Sequence, residues 1–202
     1  MEQKIDIKNY PKVFIDFSPK IPPLASMKDK SKINIRYCLI SPFAFVHIYW
    51  DSKISELSYD VEEPVLDDNE TQIKDKITEA MRDLINFDSV IEKNMDSLLD
   101  YIENKFKILL IELGIFIDYE SYKKIFYYLS RDFIGFNEVE PLLRDYFIED
   151  IECNGVETPI YIVHRKYRNI RTNVKFSDID KISGFVEKLA QRSGKYISYA
   201  KT

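Results

Sequence analysis

Residues 138–176 read EVEPLLRDYFIEDIECNGVETPIYIVHRKYRNIRTNVKF, a pattern of short helix, strand and β-hairpin with a basic edge. Asn137 and Glu140 stand at the spacing of an N-cap and a carboxylate that reaches back to it. Pro141 falls in the first turn, where a missing amide hydrogen costs little. Leu142 and Leu143 are expected against a core, with the helix ending near Asp145. Ile148 and Ile151 then predict a short strand, turned by Asn154 and Gly155. Pro159 opens a further strand at a tolerated position, and Ile160–His164 is apolar enough to be largely buried. Lys166–Asn169 is a polar tip. The return run alternates, with Ile170, Thr172, Val174 and Phe176 on one face and Arg171, Asn173 and Lys175 on the other.

Outward from this stretch the chain divides into contrasting blocks. Upstream, INIRYCLI, FAFVHIYW and ELSYDVE predict an antiparallel meander over residues 33–63. Residues 1–31 are too rich in proline for a long helix and read as an extended lead-in packed through Val13, Phe14, Ile15 and Phe17. Three helices follow the meander. The first is capped by Asp67 and Glu70, with a stripe of Ile73, Ile77, Ala80, Met81, Leu84 and Ile85. The second starts near Asp88, turns Val90, Ile91, Leu98, Leu99, Ile102, Phe106, Leu109 and Leu113 inward, and stops at Gly114. The third starts near Asp118, buries Tyr122, Ile125, Phe126, Leu129 and Phe133, and ends at Gly135. Downstream, Ser177 and Asp180 have capping-box spacing before a helix with Ile179, Ile182, Phe185, Val186 and Leu189 on one face and Gly194 as its stop. KYISYAKT then opens another strand or loop.

These elements predict an α+β chain. Residues 1–136 form a subdomain of lead-in, small antiparallel meander and three-helix layer. Residues 137–202 form an incomplete α/β subdomain, a hairpin with its packing helix, cut short before its last strands.

The 202 residues are 45% hydrophobic and 31% charged, an ordinary globular composition. A net charge of −5 argues against nucleic acid as partner, because phosphates need a basic surface. No apolar run reaches bilayer length, and MEQKIDIKNY lacks the apolar core of a signal peptide. Two cysteines, Cys38 and Cys153, are too few for a disulfide framework and fit a reducing cytoplasm as buried small hydrophobes. His47 and His164 lack neighbours at ligand spacing, so buried or interfacial roles are expected rather than a metal. Glu149, Asp150 and Glu152 form an acidic cluster of a kind that can do acid–base work, but read better as a solvated strand edge or a set of caps. Gly194-Lys195 lacks the upstream glycine of a phosphate loop and is a helix end. The dense basic set is His164, Arg165, Lys166, Arg168, Arg171 and Lys175, either a solvated surface or a contact for an anion supplied from elsewhere.

The string EPLLRD…IEDIECNG…IYIVHRKY…RTN, with FVEKLAQRSGKYISYA after it and YCLISPFAFVHIYWDSKISELSYDVEEPVL before it, resembles the N-terminal domains of archaeal type II/IV secretion (traffic) ATPases over about residues 33–200. The resemblance implies a non-catalytic front domain of a cytoplasmic hexamer held at the inner face of the membrane. That domain would pack on the RecA-like domain of its own protein and of neighbouring subunits, and relay ATP-driven motion to a membrane platform protein. ATP and Mg would belong to the parent protein, and the fragment itself would be monomeric, without cofactor, metal or nucleic acid. By family pattern Arg171 and Arg165 would contact the nucleotide phosphates in the manner of arginine fingers. The hairpin register decides which arginines share a face. A free-standing interaction or adaptor domain of a secretion or pilus machine is the alternative.

Overall fold

The structure, a computed structural model, describes residues 7–24, 29–84 and 94–195. The chain is α+β. Among the described residues, strands β1 (Asn34–Ile40), β2 (Ala44–Asp51), β3 (Glu56–Glu62), β4 (Ile148–Glu152), β5 (Tyr161–His164) and β6 (Arg168–Thr172) form one sheet. The helices are α1 (Asp68–Leu84), α2 (Met95–Glu112), α3 (Tyr119–Phe133), the single-turn α4 (Glu140–Leu143) and α5 (Ile179–Arg192). Two compact units result: Met1–Ile15 with Pro64–Gly135, and Asp16–Glu63 with Phe136–Thr202. In this division the meander shares a unit with the hairpin rather than with the three helices.

The helical unit follows its sequence closely, except that Leu84 and Leu113, expected on the inward stripes, are exposed at the ends of their helices. Asp67 and Glu70 exchange bonds as a capping box, the Asp67 amide to Glu70 Oε2 at 2.9 Å and the Glu70 amide to Asp67 Oδ1 at 2.8 Å. Asn94 caps α2, and the expected start near Asp88, with Ile85, Val90 and Ile91, lies outside the described residues. Gly114 ends α2 at φ +63°, a conformation a Cβ disfavours. Asp118 caps α3 by accepting from the Ser121 amide at 3.0 Å. Leu99, Ile102, Phe106 and Leu109 of α2 meet Tyr122, Ile125, Phe126 and Leu129 of α3 in a buried core. The Phe106 and Tyr122 rings stack at 4.8 Å. The one buried carboxylate of α2, Glu103, accepts from the Tyr122 hydroxyl at 3.0 Å and from the Val13 amide at 3.4 Å. Burial and that carboxylate raise the Tyr122 phenol far above its ordinary range. Val13 is buried but Phe14 is 74% exposed, because extended backbone alternates its sides and Val13 and Ile15 take the inner one.

In the sheet unit the strand order is β1-β2-β3-β6-β5-β4, antiparallel throughout except for β3 beside β6. That parallel junction has two partner pairs, Ser58 with Arg171 and Tyr59 with Thr172. Asn173 lengthens it by side chain, accepting from the Val61 amide at 2.8 Å and donating to the Val61 carbonyl at 2.9 Å. The inner face buries Val46, Ile48, Tyr59, Ile160, Ile162 and Ile170. At its centre Asp145 Oδ2 accepts from the Tyr37 and Tyr59 hydroxyls at 2.6 and 2.7 Å, while Oδ1 takes the Phe147 amide at 2.8 Å. Burial first, then the Asp145 charge, holds both phenols well above their ordinary range.

Several caps and faces differ from the sequence expectation. Asn137 sits at φ +55° and does not cap; its Oδ1 accepts from Lys188 Nζ at 2.7 Å. Glu140 instead reaches the Phe136 amide at 2.8 Å and takes Arg144 Nε at 2.5 Å. Leu142 is buried but Leu143 is exposed, since a four-residue helix turns only one of two adjacent side chains inward. The cap of α5 is Asp178, one residue later than Ser177, with its Oδ1 on the Lys181 amide at 2.8 Å. β6 ends at Thr172, although burial keeps alternating through Phe176. The expected packing helix, α5, buries no residue completely. Phe185 is half-buried, with its ring 5.7 Å from Phe176. Residues 196–202, where a further strand or loop is expected, lie outside the described residues.

Candidate functional site

The outer face of the sheet is built by register. One rung of cross-strand partners runs Asn34, Tyr49, Ser58, Arg171, Tyr161 and Glu152, one residue from each strand. Arg171 therefore lies inside the sheet, flanked by Ser58 and Tyr161, rather than on a free hairpin. It is half-buried, and among the described residues its guanidinium has no hydrogen-bond or ion-pair partner.

Its surroundings on this face are polar and aromatic. Tyr49 donates to Asp60 Oδ2 at 2.9 Å, and His47 Nε2 lies 2.7 Å from Asn34 Oδ1. The His47 and Tyr49 rings are 4.7 Å apart. Arg36 is already held, its Nε 2.5 Å from Glu62 Oε2 and its guanidinium 4.2 Å from the Phe45 ring. Ser58 and Tyr161, on the two strands flanking β6, add a hydroxyl and a phenol beside the open cation, whereas Asn34 lies three strands away along the rung. The arrangement offers one unsatisfied guanidinium, aromatic walls and hydroxyl groups, which suits a planar or tetrahedral oxyanion presented from the solvent side.

Arg165 is placed differently. It follows β5 in the hairpin turn, with Nε 3.2 Å from Glu149 Oε1 and its guanidinium 4.7 Å over the Tyr146 ring. Arg171 pairs with Tyr161 at the other end of the hairpin. Four residues of strand separate Tyr161 from Arg165, roughly 13 Å at the usual rise. The structure does not bring the two arginines together. Arg168, at φ +68°, is exposed at the start of β6, and Lys166 reaches the Leu24 carbonyl. Lys175 pairs with Glu157.

His164 is 1% exposed, between Phe147 and Tyr167 at ring distances of 5.5 and 4.8 Å. Its Nδ1 accepts from the Lys166 and Tyr167 amides at 3.2 and 3.3 Å, which leaves the proton on a buried, unpartnered Nε2. Burial lowers its pKa to about 4, so the ring is neutral. Cys38 is half-buried, but Cys153 is exposed just beyond β4 rather than buried, because the edge strand ends there. Asp150 and Glu152 are solvated on that edge. Among the described residues no cluster of histidine, cysteine and carboxylates could hold a metal ion, and no helix is long and apolar enough to cross a membrane.

Sequence reasoning reached Arg171 but missed the rung around it. Alternation in the meander marks His47, Tyr49, Ser58 and Asp60 as one face, and only the β3–β6 pairing places that face beside Arg171.

No family model matches the chain. It is similar to uncharacterized protein MJ1288 of Methanocaldococcus jannaschii, 32% identical over 157 residues, covering 78% of this chain and 62% of that protein. It is also similar to uncharacterized protein MJ0900 of the same organism, 24% identical over 201 residues, covering 86% of this chain and 34% of that one. The chain thus spans less than two thirds of the length of either relative.

Proposed function

We propose that this chain is a non-catalytic N-terminal domain of a ring-forming motor ATPase of the secretion and type IV filament class. The observation that carries the reading is Arg171, a half-buried guanidinium on a six-strand rung with no acceptor of its own among the described residues. A cation in that position is satisfied by an anion brought from outside the domain, and guanidinium binds phosphate oxygens two at a time. In this reading ATP and Mg are held by a RecA-like domain of the same protein or a neighbouring subunit. Arg171 then stabilises charge on the transferred phosphoryl group. Arg165 would join only by leaving Glu149. Motion between the two domains passes to a membrane platform protein. Two further facts support the reading: the EPLLRD…RTN string itself, and the length of MJ0900, of which the match covers 34%, leaving room for a further large domain.

The test uses the full-length protein. Arg171→Ala is expected to lower ATP turnover by about 10³-fold or more, the usual range for a lost arginine finger. Unfolding of the 202-residue chain carrying the same substitution, followed at its single tryptophan, Trp50, should shift by no more than about 0.5 kcal/mol. An unchanged turnover removes the finger role. A reading frame that encodes no nucleotide-binding module returns the chain to the adaptor alternative.

A further inference from the structure

We infer that the cleft beside β4 is a docking groove for an extended segment of a partner protein, alternating apolar and basic residues, that adds to the sheet as a new strand. The inference does not depend on the role of Arg171. β4 is the last strand of the sheet and, among the described residues, pairs only with β5. Its sequence, Ile-Glu-Asp-Ile-Glu, lacks lysine and proline; what guards the edge is acidic charge and a register shift between Ile148 and Asp150, so a basic partner strand meets no like charge there. Beneath it opens a cleft of about 380 Å³ with an apolar floor of Leu142, Ile148, Ile151, Ile160, Phe185 and Leu189. α5 borders that cleft, buries no residue completely, and leaves Val186 and Leu189 exposed.

Charge selects the occupant. Register puts Ile148 and Ile151 on the inner face, opposite His164 and Ile162, and Asp150 and Glu152 on the outer face, opposite Val163 and Tyr161. Among the described residues Asp150 bonds only the Ile151 amide, at 2.9 Å, and Glu152 has no side-chain partner, whereas Glu149 is already held by Arg165. An added strand would set alternate side chains into the cleft and the others beside these two open carboxylates. Apolar residues fit the first set and lysine or arginine the second. A second copy of this chain is disfavoured, because two β4 edges would bring four acidic side chains together.

The probe is the acetylated, amidated peptide Lys-Ile-Lys-Val-Lys-Ile-Lys, titrated into the isotopically labelled chain. Amide resonances of Ile148–Glu152 and of Phe185–Leu189 should move together, and exchange of the β4 amides should slow at least about ten-fold at saturation. Replacing every lysine of the peptide by glutamate should weaken binding by about ten-fold or more, and Asp150→Lys with Glu152→Lys should reverse that preference. Methylating alternate peptide nitrogens should abolish binding, since the ladder bonds cannot form. The inference falls if the methylated peptide binds equally, if shifts map elsewhere, or if nothing binds at millimolar concentration. It also falls if the β4 amides that face away from β5 already exchange slowly without peptide, because the edge would then be taken by the chain itself.

Discussion

The helical unit and the sheet unit share the same helical apolar spacing and use it to different ends. In α2 and α3 the stripes of Leu99, Ile102 and Phe106, and of Tyr122, Ile125 and Phe126, bury each other and stack their rings. In α5 the equally regular Ile182, Phe185, Val186 and Leu189 meet the sheet only partly, and nothing is buried completely. Periodicity states which face is apolar; a second element of the right shape decides whether that face leaves water. The polar centres differ as well. Glu103 anchors a helix pair through one tyrosine, whereas Asp145 gathers two tyrosines and an amide from distant segments.

The contrast is broken most severely at Asp145. Asp145→Ala leaves two buried hydroxyls and the Phe147 amide without their acceptor, and should cost about 3–5 kcal/mol in denaturant unfolding read from Trp50. Next comes acid. The His164 pKa is lowered from 6.5 to about 4, so the fold favours the neutral ring. Its contribution is therefore fully present above pH 6.5 and is lost as pH falls from 6.5 towards 4. The total is about 3 kcal/mol, and His164→Asn, which keeps an acceptor for the two amides, should flatten that part of the stability-pH curve. In the helical unit Tyr122→Phe removes the hydroxyl on Glu103 and should cost about 1–2 kcal/mol, seen in far-ultraviolet circular dichroism. The smallest effect belongs to α5: Val186→Glu on its exposed face should change stability by less than about 0.5 kcal/mol. A larger loss there would mean that the face is covered after all.

The strands and helices whose signals are local were legible from the sequence. The three meander strands, the Asp67–Glu70 box, the Asp118 cap and the Gly114 stop stand where spacing puts them. What failed was choosing between neighbours of equal chemistry. Ser177 and Asp178 can both cap, Leu142 and Leu143 can both face inward, and Phe14 lies in an apolar run whose alternation seats Val13 and Ile15. Asp145 looked like the end of a helix, because its tyrosine partners are 86 and 108 residues away. Arg171 was singled out by resemblance. Its place beside Ser58, where it has no partner among the described residues, comes from a parallel pairing across the whole helical insertion that no local pattern records.

That pairing also sets a schedule for the nascent chain. Asn173 clips onto Val61 from 112 residues downstream, so the inner flank of β3 emerges from the ribosome long before its neighbour exists. At common synthesis rates the wait is on the order of ten seconds. Throughout it the half-made sheet presents a bare backbone ladder at β3, an edge open to pairing with other chains until β6 arrives.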